Sequence, residues 1–147
     1  MKKWMLAALL FFGMAMAADA ADHASLDEAK AMAEKAAAFL KANGPDKAFA
    51  TFKDPAGGFR DRDLYVVVQD HNGMMVFHPL APALIGKSML DLKDVDGKPF
   101  NREVQAVKDT GWVDYKWLDP QTKTVSPKKS YVINTGDYLV MVGAYVQ

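Results

Sequence analysis

The sequence predicts an α+β domain in which one five-stranded antiparallel sheet carries a long N-terminal helix on one face. Three features indicate this fold. A segment with a helix cap and apolar residues at helical spacing comes first. Two strands joined by a tight turn follow it, and three more strands come after a long, turn-rich connection. Strands joined by short turns run antiparallel, and helices separated from strands along the chain are typical of α+β domains. The length suits one domain with a substantial core.

The first helix is predicted from Ser25 to Gly44. Ser25-Leu26-Asp27-Glu28 has the form of a capping box, in which the serine hydroxyl and the glutamate carboxylate each accept a free backbone N–H. Apolar side chains then recur at helical spacing, at Leu26, Ala29, Ala33, Ala36 and Leu40. Asn43-Gly44 supplies the stop. A short second helix is predicted from Pro45 to Asp54.

The strands follow as a hairpin and then a three-strand meander. Residues 64–68 are apolar on both faces, which predicts a central strand. His71-Asn72-Gly73 is a tight-turn signal, so residues 74–77 are expected to return as the partner strand. Residues 79–99 are rich in proline and glycine, and a connection this long is unusual unless it encloses a site. A short helix over 100–108 precedes strands at 112–117, 130–133 and 138–145.

The first 20 residues predict a removable signal peptide, which leaves one domain over residues 21–147. Lys2 and Lys3 precede an uncharged run from 4 to 18. Two cuts fit the small-residue rule, after Ala17 or after Ala20, and we favour the second. An uncut anchor needs about 20 apolar residues, more than this run provides. We therefore expect a soluble protein secreted to the periplasm.

Charge and motif content argue against several classes of function. The chain carries 18 basic and 18 acidic side chains and no cysteine, so neither nucleic acid nor an anionic membrane is expected as a partner. Serine lies in no G-x-S-x-G elbow, and the three histidines, His23, His71 and His78, form no zinc-binding pair. We therefore predict no catalytic residue, no metal and no cofactor. A hydrolase or metal enzyme is the least favoured class.

One segment resembles the start of a calcium-binding loop. It reads Asp94-Val95-Asp96-Gly97, but the twelfth residue counted from Asp94 is Gln105 and not the glutamate that such a loop requires. A turn held by aspartate side chains is the favoured interpretation.

An aromatic strand is the best candidate for a binding surface. Alternation places Val113, Tyr115 and Trp117 on one face, and Trp112, Asp114 and Lys116 on the other. Lys128 precedes the next strand and would lie beside the rings, where an ammonium could bind an anion. His78, at the end of the hairpin, is a second candidate donor. The alternatives are rings that only fill the core, a solvated lysine and a structural histidine.

Taken together, these motifs resemble the single Cache domain of the second type over essentially the whole of residues 21–147. The resemblance rests on eight segments in the same order and at close to the same spacing, any one of which is weak: Asp63-Leu64-Tyr65-Val66-Val67-Val68, Asp70-His71-Asn72-Gly73, His78-Pro79, Leu84-Ile85-Gly86-Lys87, the run from Asp91-Leu92-Lys93-Asp94 to Pro99-Phe100, Gly111 to Trp117, Pro127-Lys128-Lys129-Ser130-Tyr131-Val132 and Gly143-Ala144-Tyr145.

The resemblance implies a PAS-like antiparallel sheet whose second face holds a ligand pocket under residues 79–99. Ligands of the family are small carboxylates such as acetate, propionate, pyruvate or lactate. Matching motifs name His78, Tyr115, Trp117, Lys128 and Tyr131 as the pocket residues. Lys128 would be the counter-ion, His78 and the tyrosine hydroxyls donors, and Trp117 an apolar wall. Lys128 rather than Lys129 occupies the lysine position of the motif.

Similar domains are the extracytoplasmic sensors of chemoreceptors and histidine kinases. The sequence ends two residues after Tyr145, so we expect a free periplasmic protein that buffers a carboxylate or presents it to a membrane receptor or histidine kinase. The alternative is a protein–protein interaction or dimerisation module with a vestigial pocket. The sequence leaves the ligand, the partner and the oligomeric state open.

Overall fold

The computed structural model describes residues 21–146, so the predicted signal peptide lies outside the described residues. Within this range the chain forms α1 (Leu26–Asn43), α2 (Pro45–Lys53), β1 (Arg60–Asp61), β2 (Leu64–Asp70), β3 (Met75–Phe77), a 3-10 turn (Pro82–Leu84), α3 (Phe100–Ala106), β4 (Thr110–Leu118), β5 (Val125–Asn134) and β6 (Tyr138–Tyr145). The predicted α+β class and the hairpin-then-meander order are confirmed.

The capping box predicted for the first helix is present. The Ser25 hydroxyl accepts the backbone N–H of Glu28 at 3.1 Å, and the Glu28 carboxylate accepts the Ser25 N–H at 2.7 Å. The helix ends before Gly44, whose φ of 80° suits glycine. Its buried stripe is mostly alanine, and such small side chains let the helix lie close against the sheet.

All the strand pairs of the sheet are antiparallel, and the strand order is β1-β2-β6-β5-β4, with β3 pairing with β2 beside β1. The sequence predicts five of these strands. The sixth, β1, is two residues long and joins β2 through a tight turn at Arg62, whose φ is 53°. A pairing this short leaves no alternation of apolar and polar side chains, which is why it escapes prediction.

β5 is much longer than the predicted strand at residues 130–133, because it pairs with β4 along its whole length, from Leu118↔Val125 to Thr110↔Ile133. Pro127 lies inside it and has no N–H to donate, but its carbonyl accepts the Val146 N–H at 3.0 Å. Proline is a poor stop signal here, and the sequence prediction began the strand too late.

The two faces of the sheet bury different clusters. Leu64, Val66 and Val68 of β2 pack toward α1, together with an aromatic group formed by Phe39, Phe52, Phe59 and Phe77. Alternate side chains of β2, Tyr65 and Val67, face the opposite side. There they meet α3 and the connection over residues 79–99, so this second face is the one that can hold a pocket.

Backbone hydrogen bonds hold the connection to the sheet. The Met75 N–H donates to the Lys87 carbonyl at 3.0 Å, and the Gly86 N–H donates to the Met75 carbonyl at 2.8 Å. Further along, the Asp94 carboxylate accepts the N–H groups of Asp96, Lys98 and Lys116, each at 3.0 Å. The favoured interpretation of this segment as an aspartate-held turn is confirmed, and Asp94 fastens the connection to β4.

Asp63 joins the two ends of the domain. Its side chain is fully buried, and its carboxylate accepts the N–H of Ala24 at 2.7 Å, before α1, and the N–H of Tyr145 at 3.0 Å, at the end of β6. Hydrogen bonds to a buried charge are each worth about 1.5–3 kcal/mol. One side chain therefore fixes the start of the helix against the last strand.

Substitution Asp63→Asn should lower the free energy of unfolding by about 3 kcal/mol. An amide keeps one acceptor oxygen but turns an NH2 group toward the second N–H, which then loses its partner. Urea denaturation measures the effect. Asp61→Asn, which alters an exposed carboxylate that pairs with Arg62, is the matched control and should change stability by less than about 1 kcal/mol. Equal effects of the two substitutions would remove Asp63 from this role.

Candidate ligand-binding site

A small cavity lies between the second face of the sheet and the connection that covers it. Its volume is about 30 Å³, which is roughly two to three water-sized spheres. Strands β2, β3, β4 and β6, helix α3 and the connection all contribute to its lining: Tyr65, Val67, Gln69, Met75, His78, Leu84, Met89, Leu92, Phe100, Asn101, Tyr115, Trp117 and Met141. The expected roof over residues 79–99 is confirmed by Leu84, Met89 and Leu92.

Lys128 brings a buried ammonium to one end of this cavity. Only 3% of the residue is exposed. Its Nζ donates to the Tyr65 hydroxyl at 2.8 Å, and it lies 4.1 Å from the Tyr65 ring centroid and 5.0 Å from that of Tyr145. Lys128 is not itself in the cavity lining; it reaches the cavity through Tyr65, which is. Aromatic faces attract a cation, so the ammonium is held by neutral groups.

The charge of Lys128 has no close counter-ion within residues 21–146, where no carboxylate oxygen lies within 4 Å of Nζ. Burial opposes the charged form, but Tyr115, Tyr65 and the more distant Asp63 carboxylate favour it and hold the pKa of Lys128 above its usual range. An ammonium has three N–H donors, and the Tyr65 hydroxyl accepts one.

Gly143 makes room for this lysine. It pairs with Ser130 on the neighbouring strand, and a Cβ at this position would lie 2.5 Å from Cε of Lys128 and would collide with the Ser130 hydroxyl. Any larger residue would therefore displace the lysine stem. The segment Gly143-Ala144-Tyr145 lies opposite Lys128-Lys129-Ser130, and its glycine leaves the space that the lysine stem occupies.

His78 lies beside the ammonium and is neutral at physiological pH. Burial, with a smaller contribution from the Lys128 charge, lowers its pKa from the usual 6.5 to about 4. Nδ1 accepts the backbone N–H groups of Leu80 at 3.2 Å and Ala81 at 3.0 Å. Since Nδ1 is an acceptor, the single ring proton of the neutral form resides on Nε2. Nε2 has no hydrogen-bond partner within residues 21–146 and can donate to a ligand.

The aromatic strand supplies one wall of the cavity, on the face that alternation predicts. The Tyr115 ring stacks on Phe100 with centroids 4.0 Å apart and planes 1° from parallel, and Trp117 meets Phe100 edge-on at 5.8 Å. The Tyr115 hydroxyl and the Ser130 hydroxyl lie 2.9 Å apart and share a hydrogen bond. Tyr115 therefore contributes mainly its ring, while its hydroxyl is already partnered.

The expectation that Tyr131 belongs to the pocket is wrong in its geometry. Its ring lies on the α1 face of the sheet, 4.9 Å from Trp112 and 5.5 Å from the Lys30 ammonium. Lys128 and Tyr131 are three residues apart on one strand, and an odd separation puts side chains on opposite faces. By the same rule Lys129 faces away from the pocket, where it pairs with Asp114 at 3.4 Å.

Four polar residues in or beside the cavity are not among the predicted site residues: Tyr65, Gln69, Asn101 and Tyr145. Tyr65 and Gln69 lie on one face of β2, and the strand was interpreted as apolar on both faces although these two polar side chains share a period of two. Tyr145 ends β6, directly across from Lys128. Asn101 gave no signal, since an asparagine in a short helix is ordinarily exposed.

A surface depression of about 330 Å³ borders the cavity and shares Tyr65, His78 and Trp117 with it. Its other walls are Leu80, Ala81, Leu118, Pro120 and Lys123.

A family profile described as Single Cache domain 2 matches residues 7–147. The chain belongs to this family. The resemblance stated from its motifs is confirmed, and the PAS-like sheet covered by a long N-terminal helix is the Cache architecture.

Relatives of this Cache domain are sensors. "Sensor histidine kinase MctS" of Rhizobium johnstonii (strain DSM 114642 / LMG 32736 / 3841) is 32% identical over 87 residues, which cover 58% of this chain and 19% of the kinase. The chain thus spans about a fifth of the kinase's length.

Solved structures share the fold over 82% of the chain. A methyl-accepting chemotaxis protein from Vibrio parahaemolyticus RIMD 2210633 superposes with a TM-score of 0.70 at 22% identity, covering 88% of that chain. A periplasmic sensor domain of a chemotaxis protein superposes with a TM-score of 0.63 at 26% sequence identity, and the match covers 90% of that chain. A Cache chemosensory domain described for its carboxylic acid recognition superposes with a TM-score of 0.62 at 24% sequence identity, and the match covers 88% of that chain.

No helix formed by residues 21–146 has the length and apolarity that a membrane span needs. Over the same residues, no three or more histidine, aspartate or glutamate side chains are grouped so that they could hold a metal ion.

Acidification should destabilise the domain through His78. Its pKa is lower in the folded state than in the unfolded chain, so between pH 6.5 and about 4 the unfolded chain takes up a proton that the folded ring excludes. Above pH 6.5 the ring costs the folded state nothing. As the pH falls from 6.5 to about 4, the free energy of unfolding decreases by about 3 kcal/mol.

The matched variant is His78→Asn, whose side-chain oxygen can accept the two backbone N–H groups but does not titrate. Urea denaturation at pH 7 and pH 4 should show a larger loss for the native chain than for the variant. Parallel losses in the two proteins would mean that His78 is protonated freely in the folded state.

Proposed function

We propose that this Cache domain binds a small carboxylate in the periplasm and works as a sensing module without catalysis. The observation that carries the proposal is the buried ammonium of Lys128, which has neutral partners and spare N–H donors beside a cavity. Removing an ion from water costs several kcal/mol unless a counter-charge compensates. A ligand carboxylate at this end would supply that charge, and Nε2 of His78 would donate a second hydrogen bond to it.

The cavity dimensions favour acids of two or three carbons. A volume of about 30 Å³ is filled by little more than a carboxylate group, so a methyl or ethyl group beside it requires the lining to yield. Three methionines in the lining, Met75, Met89 and Met141, are unbranched and adaptable, so they can move to admit such a chain. Acetate, propionate, pyruvate and lactate are the proposed class.

The attainable affinity suits sensing better than scavenging. A ligand of about five heavy atoms gains at most roughly −1.5 kcal/mol per atom, or about −7.5 kcal/mol in total. This corresponds to a dissociation constant of a few micromolar at best. The domain would therefore respond to acids at micromolar to millimolar concentrations.

The proposed setting combines secretion through the signal peptide at residues 1–20 with transfer of the signal to a membrane receptor or histidine kinase. Similarity to a sensor histidine kinase and to periplasmic chemotaxis domains supports this setting. The carboxylic acid recognition described for one structural neighbour supports the ligand class.

Substitution Lys128→Met should weaken binding of acetate, propionate, pyruvate and lactate at least tenfold, because a charged hydrogen bond is worth about 1.5–3 kcal/mol. Folding should be nearly unaffected, since an apolar side chain of similar length often replaces a buried ion without loss. Isothermal titration calorimetry measures the binding, and a melting curve measures the folding.

Lys129→Met is the matched control, because it removes the same charge one residue away on the opposite face; its affinities should equal those of the native chain. Unchanged affinity in Lys128→Met would take Lys128 out of the site. If none of the four acids binds the native protein, the carboxylate proposal fails, and the interaction or dimerisation module becomes the better account.

A further inference from the structure

The side chains around the cavity are largely closed off from solvent. Met75, Met89 and Met141 line it and are each at most 6% exposed. A densely packed wall admits a molecule only where part of it moves aside. An acid that reaches Lys128 therefore needs a place where the wall can open.

The surface depression that borders the cavity marks such a place. It has Tyr65, His78 and Trp117 in common with the cavity. Two of these residues flank the ammonium: the Tyr65 hydroxyl lies 2.8 Å from Nζ of Lys128, and the ring centroids of Tyr65 and His78 are 5.4 Å apart. A passage from the depression into the cavity would lead directly to the proposed counter-ion.

Residues 78–85, which we call the flap, separate the two spaces. Leu84 lines the cavity, Leu80 and Ala81 line the depression, and His78 lines both. Displacement of the flap would therefore join the depression to the cavity.

The backbone of the flap is tied to itself and not to the sheet. The N–H groups of Leu80 and Ala81 donate to Nδ1 of His78 at 3.2 and 3.0 Å. Over residues 21–146, no backbone hydrogen bond joins the flap to a strand. A segment with few ties to the rest of the fold opens at a low cost in free energy.

The turn over residues 119–124 lies on the other side of the depression, to which it contributes Lys123. The buried carboxylate of Asp119 fixes this turn. It accepts the Gln121 N–H at 2.8 Å and pairs with Nε2 of His23 at 2.6 Å. The movement that opens the passage is therefore assigned to the flap.

Lys123 gives the passage a positive charge. Among the residues within 21–146 that line the depression, it is the one with a full charge, because His78 is neutral. Its side chain is exposed, and in the same part of the chain no carboxylate oxygen lies within 4 Å of its Nζ. A charge at the rim of a cleft attracts ions of opposite sign and raises their association rate.

We propose that carboxylates enter the cavity between the flap and the turn over residues 119–124, and that Lys123 speeds their entry by attracting them to this passage. This inference rests on the proposed carboxylate function and adds a residue that acts on the rate of binding without contacting the bound acid. Opening of the flap admits the acid, and its closure seals the acid beside Lys128.

Charge reversal at the passage, Lys123→Glu, tests the role of the lysine. Association of propionate should slow about threefold or more at an ionic strength of about 10 mM, while dissociation keeps the native rate, because a rim charge acts on the approach. At about 1 M salt, where charges act over roughly 3 Å, the variant and the native protein should bind propionate at equal rates. NMR line shapes recorded during a propionate titration give both rates.

Lys41→Glu is the matched control. It makes the same change at an exposed residue of α1, on the opposite face of the sheet, and should keep the native association rate. Equal association rates for Lys123→Glu and Lys41→Glu at low salt would overturn the inference. So would faster dissociation from Lys123→Glu, which would place Lys123 in contact with the bound acid.

A tether across the passage tests the route independently of charge. The chain contains no cysteine, so Leu80→Cys and Lys123→Cys can be introduced together and joined by a short bismaleimide. Because a closed passage hinders entry and exit alike, the tether should slow both rates at least about tenfold while the dissociation constant stays within about twofold.

The same double variant capped with two molecules of N-ethylmaleimide is the control, and it should exchange propionate without this delay. Equal rates in the tethered and the capped protein would mean that the acid enters elsewhere, and would overturn the inference.

The two proposals fail in different ways. If acetate, propionate, pyruvate and lactate do not bind the native protein, the carboxylate function fails and the route fails with it. If propionate binds but its rates respond to neither the charge reversal nor the tether, the route alone fails.

Discussion

A buried lysine without a carboxylate beside it is the constraint on which the second face of this sheet depends. The Lys128 ammonium is held by the Tyr65 hydroxyl and by two aromatic faces, which stabilise a cation but do not neutralise it. Gly143 must be small to let the lysine stem pass. His78 must stay neutral beside it, and the lowered pKa of that ring is partly a consequence of the same charge.

Positive charge is thus concentrated beside one end of the cavity, while the rest of the fold holds the cavity walls in place. Asp63 secures the end of β6 that carries Tyr145, and Asp94 secures the connection that carries Met89 and Leu92. Neither carboxylate lies within 4 Å of the Lys128 ammonium, so neither forms an ion pair with it. The geometry favours a ligand that brings its own negative charge, and this is the physical basis of the proposed function.

Much of this arrangement could be predicted from the sequence. Local patterns predicted the capping box at Ser25, the hairpin turn at His71-Asn72-Gly73 and the wall formed by Tyr115 and Trp117. The family motifs assign Tyr131 to the pocket, but strand alternation puts it on the opposite face of the sheet from Lys128. Tyr65 and Asn101 could not be assigned, since their roles arise from contacts between residues over 60 and over 30 positions apart. No periodicity encodes such contacts, and only the assembled sheet brings them together.

A crystal structure of the domain with saturating propionate tests the central claim most directly, because it needs no substitution. The account predicts electron density for the acid in the cavity, with a carboxylate oxygen at about 2.7–2.9 Å from Nζ of Lys128. A cavity without the acid, or a carboxylate bound elsewhere while Lys128 keeps only Tyr65 as its partner, would contradict it.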